Sequence, residues 1–138
     1  MQIRQITPRY SVSPQIDPED LAAIKAAGFT KVICNRPDVE NPPSHYADAM
    51  AVAAQEAGLE FFVLPLTHQT MTPDNIAAQM AAVDASDGPV LAYCASGTRC
   101  TVIWALAQAG QMSADDILAT AYKAGYDLSG LRPRLEQA

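Results

Sequence analysis

Cys94, Gly97 and Arg99 are the residues whose types and spacing could do chemistry together. They lie in Val90-Leu91-Ala92-Tyr93-Cys94-Ala95-Ser96-Gly97-Thr98-Arg99-Cys100-Thr101. The stretch opens as a short apolar run that reads as a buried strand. It passes through a small polar loop and enters a segment with Val102, Ile103, Ala105, Leu106 and Ala109 at helix-like spacing. Cys94 therefore sits where a strand ends and a helix is about to begin. Loop amides and a helix N-terminus converge at such a place and favour an anion, a thiolate included. Arg99 can curl back and offer a planar fork of donors to an oxyanion. Gly97 gives the loop a backbone conformation that a side chain would resist. The candidate site is thus Cys94 as nucleophile, Arg99 as oxyanion clamp, and Ala95, Ser96, Gly97 and Thr98 as the amides between them. The bland reading of Cys94 is an inert buried thiol, and of Arg99 a solvated helix arginine. Gly97 and Arg99 beside the cysteine weigh against both.

The elements that must position this loop follow from the rest of the chain. Gln2–Ile6 and Tyr10–Val12 read as a small pair of strands around Thr7-Pro8. Asp17-Pro18-Glu19-Asp20 combines an N-cap candidate, proline at the first helical position and acids in the first turn. That helix should run to Gly28, a C′ candidate. Thr30–Asn35 reads as a buried strand and the proline-rich stretch 36–43 as a loop. Ser44 is a cap candidate for a helix running to Gly58. Glu60–Leu66 has strand character and is followed by a polar loop, 67–71. Thr72-Pro73-Asp74 repeats the cap-plus-proline signature for a helix to about Ser86. Ser113 opens a further helix that stops at Gly125, and a short last helix after Ser129 should be perturbed by Pro133. Alternating strands and helices predict one α/β domain over residues 1–138, a three-layer αβα arrangement around a mostly parallel central sheet. In such sheets ligands sit beyond the carboxyl ends of the strands. The ends at Asn35-Arg36, Leu66-Thr67-His68 and Tyr93-Cys94 should then face one crevice.

Asn35 and Arg36 are candidates for substrate binding from that neighbouring strand end, against the plainer reading of a turn asparagine and a loop arginine. His68 is a candidate proton donor. Asp74, the nearest acid, reads as a first-turn helix residue, and His45 as a surface residue. Cys34, inside an apolar strand, reads as core. Cys100 is either helix packing or a resolving thiol for an oxidised Cys94.

Cysteine, small glycine-containing loop, arginine and helix together resemble the loop of cysteine-dependent phosphatases and of rhodanese-type sulfurtransferases. Four residues separate Cys94 from Arg99, a spacing closer to the rhodanese pattern than to that of the tyrosine phosphatases. With Ile33-Cys34-Asn35-Arg36-Pro37, the wider chain resembles the phosphatase-like domain of bacterial beta-lactamase-hydrolase-like proteins. That resemblance implies a dual-specificity-phosphatase-like fold and a hydrolase working through a phosphocysteine on Cys94. It also implies departures. Cys100 stands where such loops carry a hydroxyl, Tyr93 where they carry a histidine, and Thr67-His68-Gln69 where they carry an acidic proton donor; Thr101 is a candidate for the missing hydroxyl. Alternatives are sulfur transfer through a Cys94 persulfide, and a non-catalytic anion-binding or redox-sensing module.

Composition bounds the partners. With 138 residues, 49% hydrophobic, the chain can bury a sizeable core. A net charge of −6 argues against nucleic acid and anionic membranes, so an anion site must be local. The expected partner is a small anionic substrate: a phosphate ester, thiosulfate or a persulfide. Three cysteines are an odd number for a disulfide framework and lack zinc-ligand spacing. No cofactor or metal is expected. No apolar run approaches the roughly 20 residues of a membrane helix, and the N-terminus lacks a signal-peptide core, so the expected location is cytoplasmic.

Overall fold

The computed structural model describes residues 1–137. Strands β1 (Arg4–Thr7), β2 (Tyr10–Ser13), β3 (Lys31–Cys34), β4 (Glu60–Val63) and β5 (Val90–Tyr93) form one sheet in the order β1-β2-β5-β3-β4. Only the β1–β2 pair is antiparallel; the other three pairings are parallel. Ser13, Tyr93, Cys34 and Val63 lie level across the parallel strands. The chain therefore leaves all four of those strands at one edge of the molecule, and β5 leaves it directly into Cys94.

Helices α1 (Leu21–Ala26) and α2 (Ala47–Ala57) pack with Val32, Cys34, Leu91 and Tyr93 into one apolar cluster. On the other face α3 (Pro73–Asp84), α4 (Thr98–Gln108), α5 (Ala114–Lys123) and α6 (Arg132–Glu136) pack with Val12, Ile33, Val90 and Ala92 into a second. Alternation along each strand sends successive side chains to opposite faces. Because both faces are covered, β3 and β5 are buried throughout and apolar except for Lys31, whose ammonium donates to the Ala82 carbonyl at 2.7 Å. This is the three-layer α/β arrangement expected from the alternation of elements. Cys34 is buried in the α1/α2 cluster.

The helix starts are set by local chemistry. Thr72 Oγ1 accepts from Asn75 N–H at 3.2 Å and Ser113 Oγ from Asp116 N–H at 3.1 Å, each satisfying a first-turn donor that the helix leaves unpaired. The Asp17-Pro18 signature opens a short 3-10 turn, Pro18–Asp20, which runs on into α1. Ser44 does not cap α2. A 3-10 turn over Pro43–His45 intervenes, Ser44 Oγ pairs with His45 Nδ1, and Asp38 Oδ1 accepts the Ala47 N–H at 2.8 Å. Pro133 falls in the first turn of α6, where no N–H is missed, and does not perturb it. The segment expected as strand beyond Val63 leaves the ladder but stays bonded to its neighbour, Leu64 N–H to the Cys34 carbonyl and Leu66 N–H to that of Asn35. It thereby carries the chain past the site. Among the described residues no helix is long and apolar enough to cross a membrane.

Candidate active site

Gly97 is the N-cap of α4 and takes φ +91°, ψ −6°. That left-handed conformation turns the chain tightly enough for the Gly97 N–H to reach back to Cys94 Sγ at 3.1 Å. Cys94 lies at the bottom of the turn, buried. Its thiol is lowered to about 5. The leading cause is a hydrogen bond from the Cys100 thiol; burial opposes it, and the N–H groups of Cys100, Gly97 and Ser96 reinforce it. Cys100 is itself fully buried with its pKa raised, chiefly by burial, and so remains the protonated partner. The sulfur of Cys100 thus supplies the donor that a hydroxyl would otherwise give. Thr101 does not supply it, because its Oγ1 donates to the Gly97 carbonyl at 2.9 Å, back along the helix.

Arg99 is buried and held by a residue that spacing does not reveal. Its Nη1 donates to Glu40 Oε2 and to the Leu66 carbonyl, both at 2.8 Å, and its Nη2 donates to Glu40 Oε1 at 2.7 Å. A guanidinium carries five N–H donors; these three bonds leave two, one of them on Nε. The charge on Cys94 also helps to raise the Arg99 pKa, behind the larger contribution of Glu40. A planar fork with its far side fixed and its near side free is suited to an oxyanion.

Glu40 is gripped a second time by Arg36, whose Nε donates to Glu40 Oε1 at 3.3 Å and whose Nη2 donates to the Glu40 carbonyl at 3.0 Å. Hydrogen bonding to Arg99 leads in holding the Glu40 carboxyl below its usual range. Arg36 is therefore occupied with Glu40 and, through Nη1, with Gln15 at 3.2 Å. It braces the clamp and does not line the pocket as expected. Asn35 departs further from its expected place. It is fully buried, donating through Nδ2 to the Leu64 carbonyl at 2.9 Å and to Gln79 Oε1 at 3.0 Å, while Gln79 Nε2 donates back to its Oδ1 at 2.9 Å. Its side chain lies on the Ile33 face of the sheet, toward α3, with no donor to spare for a ligand.

The pocket at the loop has a volume of about 440 Å³ and is lined by Glu40, Thr67, His68, Gln69, Ser96, Thr98 and Arg99. His68 is exposed there. The pocket's one carboxylate, Glu40, is tied up in its arginine pairs. Asp74 belongs to the first turn of α3, and His45 pairs with Asp17. A second hollow of about 380 Å³ lies at the other end of the sheet against Tyr10, Met80 and Trp104, and it holds no cysteine. Sequence reasoning expected the Leu66 strand end at the crevice but missed Glu40. The one sequence signal for Glu40 is that it lies four residues after Arg36, which predicts a local pair and nothing about Arg99.

An ionised Cys94 has a direct consequence. Alkylation of Cys94 by iodoacetamide should rise with pH through a midpoint near 5 and be flat between about pH 7 and 9, where an ordinary cysteine is still gaining reactivity. Rates followed by peptide mass spectrometry check this; a midpoint above about 8 would contradict it.

Residues 2–126 match the family described as beta-lactamase hydrolase-like protein, phosphatase-like domain. The beta-lactamase hydrolase-like protein of Xylella fastidiosa (strain Temecula1) is 32% identical over 130 residues, covering 93% of this chain and 30% of that protein. The chain thus spans about a third of the length of the curated relatives it matches. Among solved structures, a candidate phosphatase from Neisseria meningitidis Z2491 is 30% identical with a TM-score of 0.89, covering 99% of this chain and 98% of that one. P. aeruginosa TpbA, solved in complex with pTyr, shares the fold at a TM-score of 0.66 and 16% identity over 99% of this chain and 91% of its own. The chain belongs to the phosphatase-like domain family of the beta-lactamase hydrolase-like proteins, with a fold like that of the tyrosine and dual-specificity phosphatases.

Proposed function

We propose that this phosphatase-like domain is a cysteine-dependent hydrolase of phosphate monoesters whose leaving group needs no protonation. The observation that carries the reading is geometric: a buried Cys94 whose sulfur accepts the Gly97 N–H at 3.1 Å shares its loop with an Arg99 that keeps donors free. The thiolate attacks phosphorus, the P–O bond to the leaving group breaks, and a phosphocysteine forms. The loop amides that Cys94 leaves free and the free side of Arg99 bear the charge on the equatorial oxygens, while the Gly97 N–H stays on the sulfur. Water then attacks phosphorus, releasing inorganic phosphate and restoring the thiolate. Neither step needs a cofactor.

The leaving-group restriction follows from the pocket. Glu40 is held ionised by two arginines and has no proton to give. His68 is the remaining lining residue able to donate one, and it hangs exposed on the 67–71 loop. General acid catalysis is typically worth 10²–10⁴-fold. Turnover of a nitrophenyl phosphate should therefore exceed that of an alkyl phosphate by about 10²-fold or more. Phosphate release assays on the two esters test this, and equal rates would overturn it. TpbA, solved with pTyr, supports an aryl ester as the first substrate to try.

A second reading is sulfur transfer. The four residues between Cys94 and Arg99 favour it, as does the want of an acid. Here the thiolate attacks the sulfane sulfur of thiosulfate, the S–S bond breaks, sulfite departs as a good leaving group, and Cys94 carries a persulfide for a thiol acceptor.

A further inference from the structure

The peptide unit joining Ser96 to Gly97 is held from both sides. On one side the Gly97 N–H donates to Cys94 Sγ at 3.1 Å. On the other the Ser96 carbonyl accepts from the Tyr126 hydroxyl at 3.0 Å. The peptide is trans, and a planar trans unit points its C=O and N–H in opposite directions, so a bond that fixes one aims the other. We propose that Tyr126 is a positioning residue for the thiolate loop, its hydroxyl fixing the Ser96–Gly97 peptide so that the Gly97 N–H faces Cys94.

The fold delivers Tyr126 to this place by separate means. Helix α5 ends in a left-handed Gly125 at φ +100°, with the Gly125 N–H donating to the Tyr122 carbonyl at 2.9 Å and the Tyr126 N–H to that of Ala121 at 3.0 Å. This reversal turns the next side chain back onto the sheet. There Arg4 of the edge strand lies over the Tyr126 ring, 5.6 Å from its centroid, and donates through Nη1 to the Ala124 carbonyl at 2.9 Å. The phenol is 8% exposed and its pKa is raised by burial, so it stays a donor. A Cβ at position 97 would collide with the Tyr126 hydroxyl. The phenol thus packs into the space that glycine leaves, against the residue whose N–H reaches the sulfur. A hydrogen bond accepted by a carbonyl also polarises its own peptide and strengthens the N–H on the far side.

The inference rests on Cys94 being the ionised nucleophile, but its test needs no substrate. Other groups acting on the Cys94 charge are Arg99 and Cys100 from α4, Tyr10 from β2 and Cys34 from β3; a Tyr126→Phe substitution leaves all of them in place. That variant keeps the ring and the Arg4 contact and removes only the hydroxyl. Its Cys94 alkylation midpoint should rise by about one pH unit, the loss expected when a hydrogen bond to the charged form is weakened. Tyr122→Phe, exposed on α5, should leave the midpoint where it was. A folded Tyr126→Phe protein with the wild-type midpoint overturns the proposal. Should that variant fail to fold, 3-fluorotyrosine at position 126 in the otherwise unchanged chain gives the same answer. Its fluorine resonance should step with the Cys94 midpoint and lose that step in Cys94→Ser; a resonance with no such step overturns the proposal. Absence of phosphatase turnover would refute the proposed hydrolase and leave these midpoints readable, so the two failures are distinguishable.

Discussion

Cys94→Ser should bring aryl phosphate turnover down to the buffer background, a loss of about 10⁴-fold or more when a nucleophile that acts as a unit with its surroundings is removed. Serine is close in size to cysteine, so the packing under the loop survives. What changes is ionisation. The Cys100 thiol and the loop amides bring a thiol to about 5, whereas an alcohol starts many units higher and stays protonated. Arg99, Glu40 and the amides are untouched, so the variant should still bind inorganic phosphate by calorimetry. Retained binding with lost turnover separates the chemistry from the anion site. Turnover within tenfold of wild type would remove Cys94 from the mechanism.

Arg99→Lys should cost about 10²–10³-fold in kcat/KM, the scale of losing oriented donors to a developing oxyanion. The charge is conserved, so the argument is geometric. Arg99 meets Glu40 through two nitrogens and the Leu66 carbonyl through one of them, while its remaining donors face the loop. A lysine has three donors on one point and cannot hold both carboxylate oxygens, the carbonyl and a substrate oxygen together. The loss should fall mainly on kcat for a ligand charged in the ground state, since the point charge still attracts it. Steady-state kinetics on the nitrophenyl ester check this. A variant within threefold of wild type would show that Arg99 serves the fold through Glu40 and leaves the substrate alone.

The legible part of this protein was the part that is contiguous. Cys94, Gly97 and Arg99 lie within six residues, and a strand, a glycine and a helix start fix their relative placement whatever surrounds them. The α/β alternation was legible for the same reason, since caps such as Thr72 and Ser113 are local chemistry. The rest depends on how strand order brings distant segments together. Glu40 reaches Arg99 across 59 residues and Tyr126 reaches Ser96 across 30, and no local pattern encodes either contact. Asn35 shows a different limit. A strand end tells where the backbone points but not which face the side chain takes. One step along the alternation from Cys34, Asn35 turns under α3 toward Gln79. Arg36 was drawn to the site by its place at a strand end, and its guanidinium is spent on Glu40.

Intact-protein mass spectrometry after brief exposure to a nitrophenyl phosphate and an acid quench tests the central claim most directly, with thiosulfate as the parallel arm. The proposed hydrolase predicts a gain of one phosphoryl group that maps to Cys94 and is absent in Cys94→Ser. A gain of one sulfur from thiosulfate with no phosphoryl adduct would contradict it in favour of sulfur transfer. An unmodified protein in both arms would contradict both and leave a loop that binds anions without turning them over.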